Sequence, residues 1–69
     1  MLELYIKDGC PHCRKQMEQL EQDGLSYRLH NVSRDSSALK KAREKYGADM
    51  VPVLVEEGKV KSVGYQGMG

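Results

Sequence analysis

The chain has 69 residues, 39% hydrophobic and 30% charged, which fits one small globular domain and excludes a multidomain arrangement. Its formal net charge of +1 gives no electrostatic footprint for nucleic acid or an anionic membrane surface. No apolar run approaches the ~20 residues of a transmembrane helix, and without Trp or Phe the core must come from Leu, Val, Ile, Met, Ala and the four Tyr.

Leu2 to Lys7 alternates, with Leu2, Leu4 and Ile6 on one side and Glu3, Tyr5 and Lys7 on the other. This predicts a first strand whose second face is also partly covered, because Tyr5 is large and apolar in body. The stretch is too short and too acidic for a signal peptide, so the chain is expected to be cytoplasmic. Asp8-Gly9 breaks the strand. Pro11 suits the first turn of a helix, where its missing N–H costs nothing. Helix formers then run to Asp23, with Cys13, Met17 and Leu20 on one face and Gly24 as the stop.

Leu25 to Val32 alternates again and predicts a second strand, with Leu25, Tyr27 and Leu29 on its apolar face. Asp35 or Ser36 is placed to cap a second helix over Ala38 to Tyr46, which Gly47 ends. Its apolar stripe is Ala38, Leu39, Ala42 and Tyr46. The β-branched run Val51 to Val55 predicts a buried third strand that starts just after Pro52. Glu56-Glu57-Gly58-Lys59 forms a hairpin turn, and Val60 to Val63 a fourth strand. The order is β-α-β-α-β-β. A strand–helix–strand unit of this length makes the first two strands parallel, with a right-handed crossover.

The two cysteines, Cys10 and Cys13, are the only ones in the chain and flank Pro11 and His12. A disulfide between them closes a tiny loop and removes little entropy from the unfolded chain. Their use is therefore chemical. A thiol attacks a disulfide only as the thiolate. The helix start, His12 when protonated, and Lys7 all favour an anion on Cys10. Cys13 lies one turn inward on the apolar face and stays a thiol, placed to resolve a mixed disulfide on Cys10.

Two metal-binding readings compete. A zinc site wants four ligands, usually from separated pairs. Here there is one pair, with His12 set between the cysteines and His30 on a strand. A soft-metal metallochaperone of this size would follow β-α-β-β-α-β, whereas only one strand fits between Gly24 and Asp35. No metal site is assigned.

C-P-x-C, the element order and Met50-Val51-Pro52 before the third strand together resemble the glutaredoxins and glutaredoxin-like redoxins of the thioredoxin fold. The likeness runs from Leu2 to about Gly64. It implies a single domain over 1–69, with a four-stranded mixed sheet, helices packed on it, and the C-terminal helix lacking or shortened. It implies a dithiol-disulfide oxidoreductase in cell redox homeostasis and electron transfer, with Cys10, Cys13, Pro11 and His12 catalytic. Pro52 then matches the family's cis-proline, beside which the backbone of Val51 pairs with a substrate peptide or glutathione, next to Met50. Lys7 matches a lysine that assists the thiolate and binds a glutathione carboxylate.

Gly64 matches one glycine of the family's usual Gly-Gly pair. The second glycine and the acidic residue after it are replaced by Tyr65-Gln66. Val63-Gly64-Tyr65 is closer to the redoxins that serve ribonucleotide reductase. Gly64 and Tyr65 are thus substrate-binding candidates, and the electron donor stays open between glutathione and a thioredoxin-reductase-type flavoprotein. Pro-His between the cysteines is the pair of a strongly oxidising thiol oxidase, and implies that His12 raises the potential. The expected partners are disulfide-containing proteins, with the chain a monomer and no cofactor bound. A dithiol metal-delivery module and an iron–sulfur cluster scaffold remain as alternatives.

Overall fold

The computed structural model describes residues 2–48 and 50–64. Strand β1 is Leu2–Ile6, helix α1 Pro11–Gln22 and strand β2 Tyr27–Asn31. Helix α2, Ser36–Lys40, runs on into a π-helical segment, Lys41–Lys45. Strands β3, Val53–Glu56, and β4, Lys59–Val63, complete the sheet. The sheet order is β2-β1-β3-β4. β1 runs parallel to β2 and antiparallel to β3, and β4 is antiparallel to β3, so the sheet is mixed as expected.

The period-2 pattern of β1 sorts the core into two layers. Leu2 and Leu4 face α1 and pack with Leu20, bordered by Met17, Tyr27 and Leu54. Tyr5 points the other way and is fully buried with Val53, Val55, Ala38 and Ala42. The two alanines, four apart on one helical face, let the second helix lie close enough to seat the large Tyr5 ring. Both cysteines and Val51 belong to this second layer, which therefore carries the dithiol end of the molecule.

Most expected bounds hold to within a residue or two, and the departures have local causes. β2 begins at Tyr27 rather than Leu25, because the Leu25 N–H is taken by the Leu20 carbonyl at 3.0 Å in the closing motif of α1. Leu25 is left 46% exposed, and so is Leu29, because β2 is an edge strand. The second helix starts two residues early, since the Asp35 carboxylate accepts from Ser37 and Ala38 N–H at 3.0 and 3.3 Å. Its second half widens into π geometry, where Tyr46 N–H reaches the Lys41 carbonyl at 3.3 Å. Glu57 and Gly58 both have positive φ, 50° and 80°, which gives a two-residue hairpin turn of the primed type. The β3–β4 register then slips between Leu54 and Val55, as a bulge.

Candidate active site

Gly9, at φ 68°, turns the chain from β1 into α1, a conformation that glycine adopts without steric cost. Cys10 is the N-cap of α1, with extended backbone, and its Sγ accepts the Cys13 N–H at 3.2 Å. A sulfur takes the place that a Ser or Asp oxygen fills at ordinary helix starts. No acidic side chain stands in the first turn of α1, so nothing else there competes for its positive end. Pro11 is at the first helical position, as expected.

Both cysteines are free thiols. Cys13 is 2% exposed and Cys10 8%, so both thiols are buried and Cys10 is not the outer, accessible partner that the sequence suggests, because its sulfur turns inward to cap α1. Burial pushes the Cys13 thiol up to about 12, and the neighbouring Cys10 sulfur adds to the shift. The Lys7 backbone and the Lys7 charge pull it the other way. The two sulfurs line a groove of about 590 Å³ with Ile6 and Met17 on its apolar wall and Lys7, Asp8 and Arg14 among its rim residues.

The Val51–Pro52 peptide is cis, and Pro52 is fully buried. Val51 packs in the same core layer as Cys10 and Cys13, while Met50 beside it is 40% exposed. Gly64 joins this group from β4: at φ 78°, it donates its N–H to the Pro52 carbonyl at 2.7 Å. Lys7 is exposed and lines both the cysteine groove and a smaller cavity of about 160 Å³ beside Met50 and Val51. It thus lies between the dithiol and the Val51 edge. His12 is half-buried, and its Nδ1 is buried without a hydrogen-bond partner among the described residues. Tyr65 lies outside the described residues. His30 is far in role from any thiol: it stacks on Tyr5 with ring centroids 4.6 Å apart and meets Glu3 Oε1 at 3.0 Å. Among the described residues, no group of three or more His, Cys, Asp or Glu side chains is placed to hold a metal ion.

One part of the site left little trace in the sequence. The Asp8 carboxylate accepts from Asn31 Nδ2 at 2.9 Å and from Arg34 Nε at 3.2 Å. Its own N–H donates to Ser33 Oγ at 3.1 Å. The loop before Cys10 is thereby tied to the turn between β2 and α2. Asp8 reads in one dimension only as a strand breaker, since its partners are 23–26 residues away.

The glutaredoxin family model matches residues 2–61. The chain belongs to the glutaredoxin family. Among solved structures, the thioredoxin-like protein BC3987 is 27% identical with a TM-score of 0.90, over 96% of this chain and 89% of its own. A glutaredoxin from Archaeoglobus fulgidus is 26% identical with a TM-score of 0.76, over 93% of this chain and 74% of its own. Wheat glutaredoxin shares the fold at 22% identity and a TM-score of 0.77, over 94% of this chain and 62% of its own. No match was found among curated protein sequences. Glutaredoxin membership and the paired cysteines support a thiol redox role. Glutaredoxins act on disulfides with glutathione as reductant. Among the described residues, no helix of this glutaredoxin-family chain is long and apolar enough to cross a membrane.

Proposed function

We propose that this chain is a dithiol-disulfide oxidoreductase in which Cys10 attacks and Cys13 resolves. The observation that carries the reading is the Cys13 N–H aimed at the Cys10 sulfur at a helix start, with the Cys13 thiol itself buried and held protonated. The Cys10 thiolate attacks one sulfur of a substrate disulfide, forms a mixed disulfide, and expels the other sulfur as a thiolate that takes up a proton. Cys10 is then no longer an anion, so its part in holding Cys13 protonated ends. Cys13 loses its proton and attacks the Cys10 sulfur, and the second substrate sulfur leaves as a thiol. Two electrons have passed to the substrate, and a Cys10–Cys13 disulfide remains for a donor to reduce.

Met50 and Val51 offer the docking edge beside the dithiol, with Pro52 and Gly64 supporting it from below. Lys7 supplies a cation between edge and thiols. Pro11 fixes the helix start, and His12 tunes the couple. Tyr65 is kept as a substrate-binding candidate from the sequence alone. No bound cofactor is required, the chain acts as a monomer, and the cytoplasm is its working compartment. Glutathione is the first candidate donor from family membership, and a thioredoxin-reductase-type flavoprotein is the second.

The test is a disulfide-reduction assay with glutathione plus glutathione reductase in one arm and thioredoxin reductase in the other. Turnover in either arm that is lost on Cys10→Ser upholds the reading and names the donor. No turnover in both arms, with correctly folded protein, overturns it.

A further inference from the structure

The loop that delivers Cys10 carries a liability. Asp8 is two residues before the nucleophile, and a free carboxylate there opposes a thiolate through like charge. The structure deals with this from another part of the chain. Both Asp8 carboxylate oxygens are engaged by donors at the end of β2 and in the turn that follows it: Asn31 Nδ2 on Oδ1 at 2.9 Å and Arg34 Nε on Oδ2 at 3.2 Å. The Asn31 side chain is held by the turn after β2, because its Oδ1 accepts the Ser33 N–H at 2.9 Å. The Asn31 and Arg34 donors hold the Asp8 carboxyl below its ordinary value.

We propose that Arg34, with Asn31, acts as a positioning residue that binds and neutralises the Asp8 carboxylate, and so keeps the nucleophile loop from opposing the Cys10 thiolate. This rests on the reading of Cys10 as the attacking group. The other groups around that sulfur differ in kind. Lys7 precedes it as a cation, and His12 and Cys13 follow it on α1. Arg14, Lys15 and Glu18 line the groove from farther along that helix. Asp8 is the only acid on the loop between β1 and Cys10, and Arg34 is its only ion-pair partner among the described residues.

The experiment is alkylation of Cys10 by iodoacetamide against pH in a Cys13→Ser background, where one thiol is read. The Asp8–Arg34 pair is exposed, so the effect is that of a surface charge pair. Arg34→Gln is expected to slow alkylation near pH 6.5 by about two- to threefold, with the high-pH plateau unchanged and the difference erased in 1 M salt. Arg34→Lys should restore most of the rate. Adding Asp8→Asn to Arg34→Gln should return the rate to that of the parent, since both the carboxylate and the charge that answers it are then gone. An Arg34→Gln profile that overlays the parent overturns the proposal. Equal slowing at every pH also does, since that reports lost geometry, and so does a double variant that stays as slow as Arg34→Gln alone. Because alkylation does not depend on disulfide turnover, the arms separate two failures. A protein that shows the Arg34 effect yet reduces no disulfide loses the proposed function and keeps the latch.

Discussion

The backbone N–H of Cys13 donates to the Sγ of Cys10 across 3.2 Å, so the two cysteines are coupled by the helix start before any disulfide forms between them. The proposed direction of the pair rests on this contact. Cys10 receives a donor suited to an anion, and Cys13 is buried behind it with its thiol held up at about 12. In the reduced protein, Cys10 is expected to alkylate at least tenfold faster than Cys13 at neutral pH, since the thiolate is the reactive form. Cys10→Ser should abolish disulfide reduction. Cys13→Ser should retain the first step and accumulate a mixed disulfide, visible by mass spectrometry as one substrate thiol per chain. Faster modification of Cys13 would reverse the assignment.

The raised Cys13 thiol also sets a pH dependence of stability. An unfolded cysteine loses its proton near 9, the folded one near 12. Between these values the folded state binds more protons, so stability falls as pH rises. The contribution is fully present below about pH 9 and is lost as pH climbs through the folded value. Oxidation to the Cys10–Cys13 disulfide removes the titrating group. Urea midpoints of the reduced form should therefore drop more steeply than those of the oxidised form from pH 9 upward. Parallel curves would mean that Cys13 is not the group responsible.

Gly64 and Pro52 are joined by a 2.7 Å hydrogen bond that a side chain at position 64 puts at risk. Gly64 has φ 78°, where an L-residue carries a steric cost of roughly 1–2 kcal/mol. Gly64→Ala should lower stability by about that amount in chemical denaturation, and should raise KM for a peptide disulfide as the Pro52 end of the docking edge shifts. Unchanged stability would show that the segment relaxes without loss.

Among the described residues, Lys7 is the one that lines both the cysteine groove and the cavity beside Val51. A charge there should discriminate among substrates. Lys7→Glu is expected to raise KM for glutathione disulfide several-fold, through lost attraction and new repulsion of its carboxylates, while KM for an uncharged small disulfide changes less. Equal changes for both substrates would remove Lys7 from binding and leave it a role at the thiolate.

The legibility of this molecule follows the range of the interactions involved. C-P-H-C at a strand–helix junction is local chemistry, and the structure puts the sulfur and the N–H where the spacing implies. The alternation of β1 was enough to foresee that Tyr5 would be covered. What the sequence conceals is non-local. Leu25 alternates like a strand residue, but α1 uses its N–H for closure. Leu29 alternates correctly too, yet stays exposed because edge position is a property of the whole sheet. The Asp8–Asn31–Arg34 latch joins two loops that only the parallel β1–β2 pairing brings together, with Ile6 opposite Asn31. Family resemblance pointed to a cis peptide at Val51–Pro52, and periodicity alone could not have done so.

Tyr5 separates packing from polarity in the layer behind the site. Its ring is fully buried, stacked on His30 and tilted against Tyr46 at 5.8 Å. Its hydroxyl is buried and, among the described residues, completes no well-formed hydrogen bond, although the Tyr46 phenol approaches it. Burial first, then the Glu3 charge, push its phenol to about 12. Tyr5→Ala removes the ring and leaves a cavity under α2, at a cost of about 3–5 kcal/mol. Tyr5→Phe keeps the ring and deletes a buried hydroxyl without a good partner, so stability near neutral pH should change by less than about 1 kcal/mol in either direction. The same variant has a second signature. An unfolded tyrosine ionises near 10 and Tyr5 near 12, so the folded state holds the extra proton and stability falls as pH rises through that window. Tyr5→Phe should flatten that fall in the oxidised protein, where Cys13 no longer titrates. A loss of several kcal/mol on Tyr5→Phe would instead show that the hydroxyl is bonded in solution, most simply to Tyr46.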